Sequence, residues 1–145
     1  MRNILSFIIA LMLVFINGII GHYYPPKGID FTLILIPIVT LIMCFASKNL
    51  NSIFKSLSIS MLVIINDILI KLYSGGTHDL EGLEWIHAFM YMGIIIGLII
   101  LSINVIKNKE ENIFLKISSI LLIPLLVYIY QHFFYQLGLG RQYPI

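Results

Sequence analysis

Long apolar runs separated by short polar segments are the feature that most restricts how this chain can fold. A helix needs about 20 mostly apolar residues to cross the hydrocarbon core of a bilayer. Five such runs follow one another along the sequence: Ile4–Gly21, Phe31–Ser47, Ile53–Tyr73, Glu84–Ile106 and Ile113–Tyr135. The sequence therefore predicts an all-α, polytopic membrane bundle of about five transmembrane helices, forming one domain over residues 1–145.

The composition excludes an ordinary soluble domain. Hydrophobic residues make up 59% of the chain and charged residues 11%, whereas soluble domains are about 45–50% apolar and about 25% charged. The 145 residues leave room for one small bundle and no separate soluble domain. The lipid bilayer is thus the expected partner. Nucleic acid is not, because the basic residues are scattered rather than gathered in a stripe. The excess of lysine over arginine suggests a bacterial source.

Two of the runs have alternative interpretations. The first could be the apolar part of a signal peptide, but it exceeds the usual length of about 7–15 residues and no small-residue cleavage site follows. It is therefore predicted to be an uncleaved span. Phe31–Ser47 is short and contains Pro37. A re-entrant segment there would leave four crossings. Predicted turns separate the runs at Tyr23–Gly28, Ser74–Thr77 and Lys107–Asn112.

The basic residues predict the orientation. Cytoplasmic loops carry an excess of Lys and Arg. With the N-terminus in the cytoplasm, six basic residues are inside: Arg2, Lys48, Lys55, Lys107, Lys109 and Lys116. Three are outside: Lys27, Lys71 and Arg141. The expected location is the cell (inner) membrane, with a cytoplasmic N-terminus and an extracytoplasmic C-terminus.

In this topology, the polar chemistry gathers at the outer side. The outer half holds all four histidines, the single tryptophan, all eight tyrosines and five of the seven acidic residues. Tyr and Trp favour both membrane interfaces, so anchoring alone does not explain a one-sided distribution. The inner half is expected to hold hydroxyls and Asn104 but no titratable group. This asymmetry predicts a polar site that faces outward.

Asp67 and Lys71 are the first candidates for that site. They are four residues apart on the third span and can pair on one helix face. An acid inside a membrane span is a functional-site hypothesis by default. The structural alternative places Asp67 one turn below the interface, paired with a Lys71 that extends outward to water.

The segment before and within the fourth span supplies five more candidates. These are His78, Asp79, Glu84, His87 and Tyr91. Glu84, His87 and Tyr91 share one helix face, and an E-x-x-H pair supplies ligands in bundle metal sites. Glu84, His87 and His78 are therefore possible metal ligands. The alternative is a capped helix start, with Thr77 or Asp79 as the cap and acids complementing the helix dipole.

On the fifth span, His132 shares a face with Tyr128 and Tyr135. This face can belong to the outer polar site or form an aromatic belt at the interface. In the fourth span, Gly93 and Gly97 permit close helix approach. With four other helices to pack against, they are expected to serve packing within the chain rather than dimerisation.

Three classes of function fit the outer cluster. An accessory protein would use it to bind a lipid headgroup, a metal, or another membrane or extracytoplasmic protein. An enzyme would use His and acidic groups as acid, base or metal ligands, but H-E-x-x-H, G-x-S-x-G and C-x-x-C are absent and no cofactor is indicated. A channel or transporter needs polar groups along its whole path. Binding is therefore preferred, and transport is ranked third.

Overall fold

In the computed structural model, residues 2–47, 49–74 and 80–134 are described, and these form five helices without strands. The helices are α1 (Arg2–Tyr23), α2 (Pro25–Leu41), α3 (Ser52–Tyr73), α4 (Leu80–Lys107) and α5 (Ile113–Phe134). A π-helical segment, Ile42–Ala46, continues α2. All five are long and apolar enough to cross a membrane. The predicted all-helical bundle is therefore confirmed.

The second helix differs from its prediction at its start. It begins at Pro25 rather than Phe31, so the predicted turn over Tyr23–Gly28 reduces to Tyr24, which caps the helix. Proline fits the first helical turn because the amide hydrogen it lacks would have had no partner there. With its π-helical segment the helix runs from Pro25 to Ala46 over 22 residues. This is long enough for a full span, so the short length no longer favours a re-entrant segment, although Pro37 remains inside the helix.

Helix α3 lies at the centre of the bundle. It packs against each of the other four helices. Helix α1 also packs against α2, and α4 packs against both α2 and α5. Half of the most apolar window of α3 is buried (50%), against 17% for α5. Polar side chains on α3 can therefore point in several directions and still contact protein.

The helices alternate in direction, which gives the bundle two distinct ends. Tyr23, Tyr73 and Phe134 lie at one end, called here the tyrosine end. Lys107 and Ile113 lie at the other, called the lysine end. An apolar core that includes Val14, Val39, Leu62, Met90 and Leu101 lies between them.

Two glycines allow α4 to approach α2 closely. A Cβ at Gly93 would lie 3.1 Å from the Cβ of Ile36, and one at Gly97 would lie 3.0 Å from Oγ1 of Thr40. Both distances are tighter than most van der Waals contacts between a Cβ and its neighbours. The expectation that Gly93 and Gly97 serve packing inside the chain is therefore confirmed.

Candidate functional site

The centre of the candidate site is an ion pair buried within the tyrosine end. Nζ of Lys71 lies 2.6 Å from Oδ2 of Asp67. Each residue is only 1% exposed. The predicted pairing is thus present, but the alternative in which Lys71 extends outward to water is wrong. The helix phase turns Lys71 into the bundle, toward α5 rather than toward the surface.

Helix α5 encloses this pair with two aromatic residues one turn apart. The hydroxyl of Tyr130 donates a hydrogen bond to Oδ2 of Asp67 at 2.8 Å. The Lys71 ammonium lies 4.5 Å from the ring centroid of Phe134 and 5.5 Å from that of Tyr130. Such contacts stabilise a cation that has left water. Lys71 and Tyr130 thus both contact the same carboxylate oxygen of Asp67, Oδ2.

Helix α4 completes the surroundings of the pair. His87 is half-buried and close enough to interact electrostatically with both Lys71 and Asp67. Its ring centroid is 6.1 Å from that of Tyr91. The Tyr91 hydroxyl donates to Oε1 of Gln131 on α5 at 2.6 Å. The structure thus brings together residues of α3, α4 and α5, called here the polar site: Asp67, Lys71, His87, Tyr91, Tyr130 and Gln131.

Three atoms of the polar site are buried without a hydrogen-bond partner in the described part of the chain. They are Oδ1 of Asp67, Nε2 of His87 and Nε2 of Gln131. Buried polar side-chain atoms in folded proteins nearly always have a partner, which can be water. The carboxylate oxygen accepts and the amide nitrogen donates. Each of these atoms can therefore bond to a ligand group or to water.

Several predicted candidates lie elsewhere. Glu84 is exposed at the bundle surface. His132 is also exposed and packs edge-on against Phe133, with ring centroids 5.3 Å apart. His78 and Asp79 lie outside the described residues. Of the predicted candidates, the polar site thus gathers four: Asp67, Lys71, His87 and Tyr91.

The metal prediction concerns Glu84, His87 and His78. Within the described ranges, no three His, Cys, Asp or Glu residues lie close enough to hold a metal ion. Because His78 lies outside those ranges, the full set stays a prediction. Glu84 and His87 share a helix face, but Glu84 is exposed, whereas His87 is half-buried and interacts electrostatically with the buried ion pair.

Sequence reasoning missed a second polar network beside the site. The amide of Asn17 on α1 donates to Oδ1 of Asn66 at 2.8 Å, and Asn66 donates to Oγ1 of Thr32 on α2 at 3.1 Å. All three residues are buried. Consecutive residues on a helix point about 100° apart, so Asn66 faces α1 and α2 while Asp67 faces α5. In the sequence, Asn17 is a single polar residue in an apolar run, and nothing there identifies its partner.

The lysine end is the half predicted to be inner, and it holds a buried titratable group that was not expected there. Lys55 is only 6% exposed and donates to Oδ1 of Asn104 at 3.0 Å. Asn104 in turn donates to the backbone carbonyl of Cys44 at 3.2 Å. Lys55 lies in the first turn of α3, and its position next to the preceding loop suggests an exposed side chain. The helix phase instead turns it toward α4.

Comparisons of this chain with protein-family models, with curated proteins and with solved structures find no match.

Proposed function

We propose that this chain is a small multi-pass protein of the cell membrane that binds a ligand's polar group at the tyrosine end. The ligand is a lipid headgroup or a polar segment of a membrane partner, and the protein acts as an accessory binding protein. The observation that carries this proposal is the buried and unpartnered Oδ1 of Asp67. An acidic residue inside a span costs about 2.5–3.5 kcal/mol on insertion scales, and such residues are typically kept for function.

The contacts of Asp67 favour binding. Lys71 and Tyr130 both engage Oδ2, so Oδ1 is the oxygen available to a ligand. His87 and Gln131 contribute further unpartnered nitrogen atoms from α4 and α5. The proposed ligand reaches between these two helices to bond with these atoms. Helices α4 and α5 pack against each other less extensively than α5 packs against α3, which favours entry on that side.

The basic residues support an extracytoplasmic position for the polar site. Lys55 and Lys71 are buried inside the bundle. Of the other basic residues, five belong to the lysine end by sequence and two belong to the tyrosine end. The lysine end therefore keeps the excess of basic residues. The positive-inside rule then assigns the lysine end to the cytoplasm.

Native mass spectrometry of the protein, purified in detergent from its own membranes, tests the binding proposal. We expect the wild type to retain a bound lipid or other adduct. His87→Phe and Gln131→Leu should lose it, because each removes an unpartnered polar atom while leaving the ion pair intact. His132→Phe is the matched control, since His132 is exposed on α5. Equal retention in all variants would mean that the adduct is bound elsewhere, and a wild type without an adduct would mean that water satisfies the polar atoms; either result would overturn the proposal.

Transport is the second candidate, and the buried Lys55 is the observation that favours it. The central helix α3 carries charged groups near both of its ends, Lys55 at one and Asp67 with Lys71 at the other. Between them lie Leu62 and Val63, which are buried and apolar. Proteoliposomes loaded with a pH-sensitive dye test this candidate. Proton flux that is present in the wild type and lost in Asp67→Asn would support transport, and equal traces with empty liposomes would exclude proton transport.

A further inference from the structure

A cavity of about 480 Å³ lies at the tyrosine end, between the first turns of α2 and α4. Its volume falls within the range of about 300–1,000 Å³ that is usual for small-ligand sites. Asp30 from α2, Ser74 after α3, and Glu81, Trp85 and Phe89 from α4 line it. None of the six residues of the polar site lines this cavity. It is therefore a separate feature of the bundle.

Among the described residues, the charge of the cavity lining is negative. Asp30 and Glu81 are carboxylates, and no Lys, Arg or His of the described ranges lines the cavity. The N-termini of α2 and α4 each contribute about half a positive charge, and this effect falls off within the first turn. Glu81 complements the dipole of α4, but Asp30 is the sixth residue of α2 and lies beyond that range. Among the described lining residues, the two carboxylates thus carry more charge than the two helix dipoles supply.

The aromatic lining lies beside these carboxylates. Trp85 and Phe89 are one helical turn apart, with ring centroids 5.6 Å apart and planes inclined by 30°. Trp85 is 54% exposed, so part of its ring is open to a ligand. An aromatic face attracts an organic cation, and Trp does so most strongly. A role as interface anchor explains why Trp85 lies at this depth but does not explain the carboxylates beside it.

Ser74 provides an independent observation that points to a ligand. It is only 7% exposed, and its hydroxyl has no hydrogen-bond partner within the part of the chain that the structure describes. A hydroxyl adds a neutral acceptor or donor to the two carboxylates. A small metal ion would gain nothing from the two aromatic rings. An alkylated ammonium group gains from both the rings and the charges.

We propose that this cavity binds an alkylammonium group, carried either by a choline-type lipid headgroup or by a free organic cation. The carboxylates of Asp30 and Glu81 supply the charge, and the ring of Trp85 supplies an apolar face. This site is distinct from the polar site between α3, α4 and α5. Its ligand can therefore be tested without reference to the function proposed above.

The chain's single tryptophan makes the test direct. Trp85 fluorescence of the full chain in a maltoside detergent is titrated with tetramethylammonium chloride, and separately with sodium chloride at equal ionic strength. We expect a saturable change with tetramethylammonium alone. A linear change, or the same change with both salts, would overturn the proposal.

Substitutions identify the groups responsible. The double variant Asp30→Asn with Glu81→Gln should weaken tetramethylammonium binding by about tenfold, because two partly exposed ion pairs are lost. Glu84→Gln is the matched control, since Glu84 is an exposed acid on the same helix that does not line the cavity. Circular dichroism checks that each variant keeps its helix content. Equal weakening in Glu84→Gln would show only a general surface-charge effect and would count against the site.

Two lipid environments distinguish the two sources of the ammonium group. In nanodiscs of phosphatidylcholine, a site for a lipid headgroup is already occupied, so tetramethylammonium should bind more weakly than in nanodiscs of phosphatidylglycerol. A site for a free organic cation should bind tetramethylammonium equally in both. Absence of saturable binding in phosphatidylglycerol nanodiscs, which carry no competing ammonium group, would overturn the proposal for either source.

Discussion

Single buried polar residues on α3 determine much of the chemistry of this bundle. Asn66 and Asp67 are neighbours in sequence, yet one bonds to α1 and α2 and the other to α5. This divergence is possible because α3 packs against all four other helices. On a peripheral helix, one of two adjacent polar residues would face lipid, where an unsatisfied polar group costs several kcal/mol.

Lys71→Met tests how much the buried ion pair depends on both partners. The substitution keeps the length of the side chain but leaves the Asp67 carboxylate with Tyr130 as its remaining partner among the described residues. Removing one partner of a buried pair typically costs about 3–5 kcal/mol. We therefore expect the free energy of unfolding in detergent, followed by circular dichroism, to fall by about that amount.

The double variant Asp67→Leu with Lys71→Met is the internal comparison. Replacing a buried pair by apolar residues of similar volume is often neutral or stabilising, so the double variant should be more stable than Lys71→Met alone. Lys107→Met is the control for removing a positive charge, because Lys107 is exposed at the end of α4. If Lys71→Met were no less stable than Lys107→Met, the ion pair would not contribute to stability.

Asn17→Leu tests the network that joins α1, α2 and α3. It removes the donor to Oδ1 of Asn66 and leaves that buried oxygen without this partner. An unsatisfied buried acceptor costs about 1–3 kcal/mol, and the free energy of unfolding should fall accordingly. Asn108→Ala, in the turn after α4, should have little effect. A wild-type stability for Asn17→Leu would show that the three-residue network is energetically neutral.

At the scale of helices, hydropathy predicts where each helix lies in the sequence but not how the helices pack. The apolar runs locate all five helices, because a span requires a fixed length of apolar residues whatever its neighbours are. The start of α2 was predicted too late, at Phe31, because Pro25 and Gly28 indicate a turn as readily as a first helical turn. Gly28 packs against Gly21 across this tight connection, and a contact of that kind is invisible in the sequence of either helix alone.

The candidate site was predictable only in part, for a related reason. Spacing on one helix correctly pairs Asp67 with Lys71. Contacts between helices depend on helix order and rotation, which one sequence does not contain. Tyr130 and Gln131 therefore enter the polar site unexpectedly, while Glu84 and His132, at similar depths, face outward. Lys55 shows the same limit at the lysine end, since only its helix phase turns it inward.

Gly93→Leu tests the contact between α4 and α2. Its side chain would collide with Ile36, where even a Cβ lies 3.1 Å from the nearest atoms. Overpacking typically costs about 1–3 kcal/mol, so the melting temperature in detergent should fall. Ala88→Leu adds the same kind of bulk at an exposed position of α4 and should leave stability unchanged. A variant with wild-type stability but altered oligomeric state would instead assign Gly93 to contacts between copies.

At the scale of the whole molecule, the two ends of the bundle differ in chemistry. The tyrosine end holds the polar site, the cavity beside Trp85 and exposed aromatic residues such as Tyr24. The lysine end holds Lys107, Lys109 and Lys116. Because positive loops are retained in the cytoplasm, this difference should fix the direction in which the bundle lies in the membrane. Both proposed binding sites would then face the extracytoplasmic side.

Cysteine labelling in intact cells tests that direction. Cys44 is the chain's single cysteine and is buried, so a Cys44→Ala background leaves no native thiol. Tyr24→Cys then places a thiol at the tyrosine end, and Glu110→Cys places one in the exposed turn after α4. Neither change alters the count of basic residues. A membrane-impermeant maleimide should label Tyr24→Cys in intact cells, and Glu110→Cys only after the membrane is permeabilised. The reverse pattern would place the polar site and the cavity on the cytoplasmic side, where they would meet cytoplasmic ligands and the inner leaflet.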